Sequence, residues 1–169
     1  MPRVSQVKPR KGNLRQEVVP FVGDDDRKDL QLLLMDHYDS FTYNLADLLA
    51  QLCVEPPTVL AADCVDSWDE LDGSFDGVVL SPGPGHPCDP ICKISRDCVE
   101  QNCNLPILGV CLGHQILGDV YSAAVILSPE PVHGQICRVN LTEASLNDLL
   151  WLNIPQPVNV TRYHSLQVS

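Results

Sequence analysis

The segment Leu105–Gln115 reads LPILGVCLGHQ: a short apolar run, a glycine, a lone cysteine, a second glycine and the opening of a helix. This order is what a nucleophile elbow requires, a side chain raised on a sharp strand-to-helix turn above the end of a sheet. Gly109 and Gly113 stand two residues either side of Cys111 and remove the Cβ atoms that would crowd such a turn. The following helix aims its first free N–H groups and the positive end of its dipole at the sulfur, a setting that favours the thiolate. A second reading is a buried cysteine at a strand end with no chemistry of its own.

The rest of the chain supplies a frame for such an elbow. Leu32–Met35, Thr58–Ala61, Gly77–Leu80 and Leu105–Val110 are short apolar runs suited to buried parallel strands. Between them, Phe41, Leu45, Leu48, Leu49 and Leu52 recur at helical spacing, Asp39 or Ser40 can cap that helix, and Pro56-Pro57 ends it. Further helices are expected from about Pro90 to Asn102 and from Gly113 to Tyr121, and a short helix or turn at Leu146–Leu152. Ala123–Leu127, Gln135–Asn140 and Val158–Arg162 read as additional strands. Strands alternating with helices give an α/β fold, an open and mainly parallel sheet flanked by helices. In such sheets the site lies at the carboxyl ends of the strands. Asp36, Ser81 and Cys111 each open a loop just after a strand, so three loops converge on one edge.

The loop SPGPGHP at Ser81–Pro87 carries the second chemical signal. Amide or ester chemistry through a cysteine needs N–H donors for a tetrahedral oxyanion. The N–H of Leu112, first after the elbow, is one candidate. Gly83 and Gly85 let backbone approach a ligand closely and each offers an N–H, while the flanking prolines stiffen the loop. An ordinary proline-glycine turn is the alternative.

Charge narrows the partners. Of the 169 residues, the first 29 hold seven of the eleven Lys and Arg, and the remaining 140 set four basic residues against seventeen acids. A body this acidic is a poor partner for nucleic acid or an anionic membrane. Residues 1–29 read as a flexible N-terminal extension, with VVPFV at Val18–Val22 its one apolar cluster, and residues 30–169 as the folded domain. No secretory h-region follows Met1, which argues for the cytoplasm. The basic, acid-free first sixteen residues leave a plastid transit peptide as the alternative. Of the eight cysteines, Cys88, Cys92, Cys98 and Cys103 cluster in sequence, but their spacing matches no common zinc pattern, so no metal site is expected.

GVCLGHQ and SPGPGHP, together with DHYDSFTYNL at Asp36–Leu45, PVHG at Pro131–Gly134 and RYHSL at Arg162–Leu166, resemble the class I (triad) glutamine amidotransferases. The resemblance runs from about Leu32 to Ser169, in the branch serving the chorismate-using aminodeoxychorismate and anthranilate synthases. PEPVHG, with Pro131 and Val132 where anthranilate synthases more often carry methionine before the His-Gly pair, tilts it to the aminodeoxychorismate side, and so to 4-aminobenzoate and folate. It implies a flavodoxin-like fold, hydrolysis of the L-glutamine side-chain amide at Cys111 and delivery of ammonia to a synthase domain or subunit. It further implies that Gly83, Pro84 and Gly85 hold glutamine and form the oxyanion hole with Leu112. Gln115 would contact the substrate, and Ser165 and Leu166 would grip its α-amino and carboxylate groups. No cofactor is implied in this domain, with Mg2+ expected only in the partner synthase. In the family pattern the catalytic histidine lies in a later His-Pro-Glu motif, so this sequence is expected to be incomplete at its C-terminus; an anthranilate synthase glutaminase component, or a non-catalytic truncated binding or regulatory module, is the alternative. His114 and His133 are then expected to be structural and His164 to shape the loop that carries Ser165. Gln135 stands where the family usually has a basic residue, a change that bears on docking to the synthase.

Overall fold

A computed structural model describes residues 27–169 except 72, 73, 102, 103 and 153. The N-terminal segment before residue 27, with the apolar cluster Val18–Val22, and Cys103 lie outside the described residues. Lys28 is already tied to the body: its N–H donates to the Leu52 carbonyl and its own carbonyl accepts from Val54 N–H, each at 2.9 Å.

Four parallel strands form the central sheet: β1 (Leu32–Asp36), β2 (Thr58–Ala61), β3 (Gly77–Leu80) and β4 (Ile107–Gly109), in the order β2-β1-β3-β4. This is the flavodoxin-type winding as far as its fourth strand, with the reversal of direction between β1 and β3. Side-chain alternation divides the core in two. Leu33, Met35, Val78 and Leu80 face one side, where they meet Ile94, Cys98 and Val99 of α2 (Lys93–Gln101) and Leu112 and Ile116 of α3 (Leu112–Val120). Leu34 and Val79 face the other side and pack on Leu45, Ala46 and Leu49 of α1 (Thr42–Leu52). Every residue of β3 is buried, as a central strand covered on both faces must be. Arg96 of α2 and Asp119 of α3 form an ion pair that ties the two helices on one face.

A separate antiparallel ribbon follows, β5 (Val125–Val139) against β6 (Val158–Val168). The two runs expected at Ala123–Leu127 and Gln135–Asn140 are one long strand with register shifts at Leu127/Val132 and His133/Gln135. The breaks absorb Pro129, Pro131 and the positive-φ Gly134, which a regular ladder would exclude. Similarly, β6 runs through Arg162–Leu166, so His164 and Ser165 stand on a strand rather than the expected loop. The ribbon seats on α3 where Gly118 faces Val168; a Cβ at Gly118 would lie 2.9 Å from the valine methyls. The short helix or turn expected at Leu146–Leu152 takes the form of two 3-10 turns, Glu143–Asn147 and Leu149–Trp151. Among the described residues no helix is long and apolar enough to cross a membrane.

Candidate functional site at the carboxyl edge of the sheet

Cys111 occupies the N-cap of α3 with φ 54° and ψ −105°, a backbone region that costs a non-glycine residue about 1–3 kcal/mol. The glycines around it are sterically required. A Cβ at Gly109 would sit 2.5 Å from the carbonyl carbon and oxygen of Gly113, and one at Gly113 would run into the Leu80 carbonyl. Gly113 N–H donates to the carbonyls of Val110 (3.0 Å) and Ser81 (3.2 Å), and Val110 N–H donates to Leu80 (3.0 Å). The elbow is thus bolted to the end of β3 and to the first residue of the SPGPG loop.

The thiol of Cys111 is half-buried and lies 4.0 Å from the Tyr163 carbonyl on β6. Burial pushes it above its ordinary pKa; the Leu112 N–H, hydrogen-bonded to the sulfur, acts in the opposite sense, and the nearby Asp39 carboxylate adds to the rise. The expectation that the helix end favours the thiolate is corrected here. Among the described groups, desolvation outweighs the backbone donor. The contrast with deeper cysteines remains: burial pushes Cys92 up to about 11 and Cys98 to about 12.

The other expected site residues fall into three groups. Leu112 is buried and its N–H already points at the sulfur. Gly83 lies against it: a Cβ there would stand 2.8 Å from Leu112 Cδ2 and 2.5 Å from His37 Cβ. Close packing, not only ligand access, therefore demands glycine at 83, and a side chain there would disturb the fold as well as the site. Pro84 and Gly85 are exposed at the loop tip, where Gly85 takes φ 92°. The Asp89 side chain accepts from His86 N–H at 2.7 Å and closes the loop from behind. Gln115, one turn along α3, is buried and donates its Nε2–H to the Leu166 carbonyl at 3.3 Å. That bond places β6 beside the elbow. Ser165 is exposed, its Oγ 3.1 Å from His133 Nε2 across the ribbon.

Two of the three histidines expected to be structural or loop-shaping have partners within the ribbon. His164 Nε2 accepts from Arg162 Nε–H (3.0 Å), which leaves its Nδ1–H to donate to the Leu166 carbonyl (2.8 Å). His133 meets Tyr163 edge-on, ring centroids 5.1 Å apart. His114 is exposed on α3. Sequence reasoning missed three neighbours of the site. They are Asp39, read only as a cap, Tyr163, which offers its backbone carbonyl, and His37, which lies 1% exposed beneath the SPGPG loop. The sequence places the Asp36–Ser40 segment as a loop at the right edge, but no periodicity announces that its histidine turns inward.

A strained cysteine at the strand-to-helix turn of a doubly wound parallel sheet, with a glycine-proline loop bonded to its helix, defines an α/β protein of the elbow-cysteine class. Comparison with known proteins narrows the class to one family. The chain belongs to the class-I glutamine amidotransferases, whose family model matches residues 33–169. It is 45% identical over 143 residues to an aminodeoxychorismate synthase of Streptomyces pristinaespiralis, covering 83% of this chain and 19% of that protein. The chloroplastic aminodeoxychorismate synthase of Arabidopsis thaliana is 40% identical over 152 residues, covering 81% and 16%. Anthranilate synthase component 2 of Mycobacterium tuberculosis is 39% identical over 141 residues, covering 82% and 59%. The chain therefore spans less than a fifth of the length of the first two and under two thirds of the third. In fold it is similar to a glutamine amidotransferase from Thermotoga maritima, with TM-score 0.66 and 18% identity over 85% of this chain and 64% of that one.

Proposed function

We propose that this chain is the glutamine-hydrolysing part of an amidotransferase that supplies ammonia to a chorismate-using synthase, and that the product is 4-amino-4-deoxychorismate. The observation that carries the chemistry is the strained backbone of Cys111 at the head of α3, with Leu112 N–H directed at its sulfur. The Cys111 sulfur attacks the amide carbon of the glutamine side chain. The oxyanion is held by Leu112 N–H and by an N–H of the Gly83–Gly85 loop. The amide nitrogen takes a proton and leaves as ammonia, and water then cleaves the thioester to glutamate. The proton carrier in this reading is the histidine of the His-Pro-Glu motif that the family pattern places beyond Ser169.

Ser165 stands on the side of the site suited to the charged head of the substrate, where its hydroxyl matches the carboxylate. The Leu166 carbonyl, which accepts from Gln115 Nε2–H and His164 Nδ1–H, holds that side of β6 against α3. The choice of acceptor rests on the similarity to aminodeoxychorismate synthases. The similarity to anthranilate synthase component 2 favours a second reading, with anthranilate as the product. The compartment proposed is the cytoplasm, and the plant relatives described as chloroplastic support the plastid as the alternative for a chain with basic residues 1–16.

The test uses the full protein with its synthase partner. Cys111→Ser is expected to abolish glutamine-dependent synthesis and leave synthesis from free ammonia intact, because the oxygen nucleophile lacks thiolate character while the partner's site is untouched. Glutamine-dependent turnover within a few-fold of wild type would exclude Cys111 as the nucleophile. Chromatography of the chorismate product separates 4-amino-4-deoxychorismate from anthranilate.

A further inference from the structure

The crevice between the ends of β1 and β3, where a doubly wound sheet leaves room for a ligand, is filled from beneath by a histidine. His37, Ser81 and Ser95 are 1%, 0% and 0% exposed. His37 Nδ1 lies 3.2 Å from Ser81 Oγ, and His37 Nε2 lies 2.9 Å from Ser95 Oγ on α2. The directions of these bonds follow from one another. Ser81 Oγ–H donates to the Pro82 carbonyl at 2.6 Å, so Ser81 Oγ can only accept from the ring. His37 Nδ1 therefore carries the proton, and Nε2 accepts from Ser95 Oγ–H. Ser81 Oγ also accepts the backbone N–H of His37 at 3.0 Å. Burial holds the ring's pKa below its ordinary value of 6.5, which keeps it neutral and preserves this single pattern at neutral pH.

Two further contacts connect the ring to the site. Gly83 rests on His37 so closely that a Cβ would lie 2.5 Å from His37 Cβ and 2.9 Å from its carbonyl oxygen. The Ser81 carbonyl accepts Gly113 N–H of the elbow helix. His37 thus stands under the stretch of backbone that the proposed function makes the donor loop, linked on one side to α2 and on the other to the elbow.

We infer that His37 is a positioning residue for glutamine hydrolysis: it fixes the height and tilt of the Ser81–Gly85 loop over Cys111, so that the loop's N–H groups meet the oxyanion rather than the ground-state amide. This rests on the function proposed above. Preorganised donors stabilise a transition state in proportion to how little they must move.

The test compares His37→Asn and His37→Gln in the full protein with its synthase partner. It reads kcat and KM for glutamine hydrolysis and the rate of Cys111 alkylation by iodoacetamide. Asparagine places an amide N–H where the ring carried Nδ1–H, so Ser81 keeps its donor and kcat is expected to stay within a few-fold of wild type. Glutamine carries its amide one bond further, towards Ser95. It is expected to lower kcat by about 10- to 100-fold, the scale of a misplacement near 1 Å, with KM and alkylation rate little changed. A merely structural histidine predicts a different pattern, with both variants losing kcat and altering alkylation together. That pattern, or a glutamine variant with wild-type kcat, overturns the inference. Should the glutamine variant fail to fold, Ser95→Ala removes the ring's second anchor. It is expected to lower kcat several-fold with unchanged alkylation, and an unchanged kcat overturns the inference. Absence of glutamine hydrolysis in the wild-type protein overturns the proposed function itself, and this inference with it.

Discussion

At Cys111 three influences meet on one sulfur. Desolvation and the Asp39 carboxylate raise its pKa, and Leu112 N–H lowers it. The net rise means that the resting group is a thiol, with its proton towards the Tyr163 carbonyl. Alkylation of Cys111 by iodoacetamide should therefore climb with pH through a midpoint above the ordinary cysteine value of 9.0. Asp39→Asn removes a charge that disfavours the thiolate, so it should move that midpoint down. Mass-spectrometric labelling across a pH series checks both, and a midpoint below the ordinary value in the unaltered protein would contradict the dominance of burial over the Leu112 N–H. The sequence made the elbow legible because its requirements are steric: one residue in a forbidden region and two that must lack Cβ atoms. It did not reveal the sign of the pKa shift. That sign depends on how deeply the sulfur sits beside β6, whose Tyr163 lies 52 residues further along the chain.

At the level of elements, the parallel strands were readable because each is a continuous apolar run, and their observed limits at Thr58–Ala61 and Gly77–Leu80 coincide with those runs. The ribbon was less readable. Prolines and a glycine interrupt β5, and on sequence grounds they end a strand rather than pass through it. Only pairing with β6 carries the strand across the breaks. That pairing is also why RYHSL is a strand, and why its carbonyls, not its loop shape, face the elbow. The helix pair on the other side offers a test of its own. Arg96 bridges α2 and α3 through Asp119 and also lies 4.0 Å from Glu100, with both partners of the Asp119 pair about three-quarters buried. Arg96→Met keeps most of the stem and removes the charge. It should lower unfolding free energy by about 1 kcal/mol, at the upper end for a partly exposed pair, as read by urea denaturation. An unchanged midpoint would place α2–α3 docking wholly in the apolar contacts of Ile94, Cys98 and Ile116.

For the whole molecule, the described fold brings Cys111, the Ser81–Gly85 loop and the Gln115–Leu166 contact together at one edge of a sheet, while His37, His133 and His164 bond to groups other than the Cys111 sulfur. Residues 1–169 alone are therefore expected to release ammonia from glutamine poorly, since a thiol without a positioned base neither ionises readily nor protonates its leaving group. Robust, glutamine-saturable ammonia release by this span would assign the base to His114, His133 or His164 and displace the family pattern. A longer protein that includes a His-Pro-Glu segment is the matching control.

The backbone at Cys111 has an evolutionary side. Its positive φ suits glycine, which reaches φ 54° without a Cβ to offend. Cys111→Gly should consequently fold as well as or better than the natural chain, by about 1 kcal/mol on the scale of such relief, and a thermal melt beside Cys111→Ser would show it. On the proposed function, drift towards stability at this position leads away from glutamine hydrolysis, and a lineage with no need for ammonia would find the loss of this cysteine easy to accept.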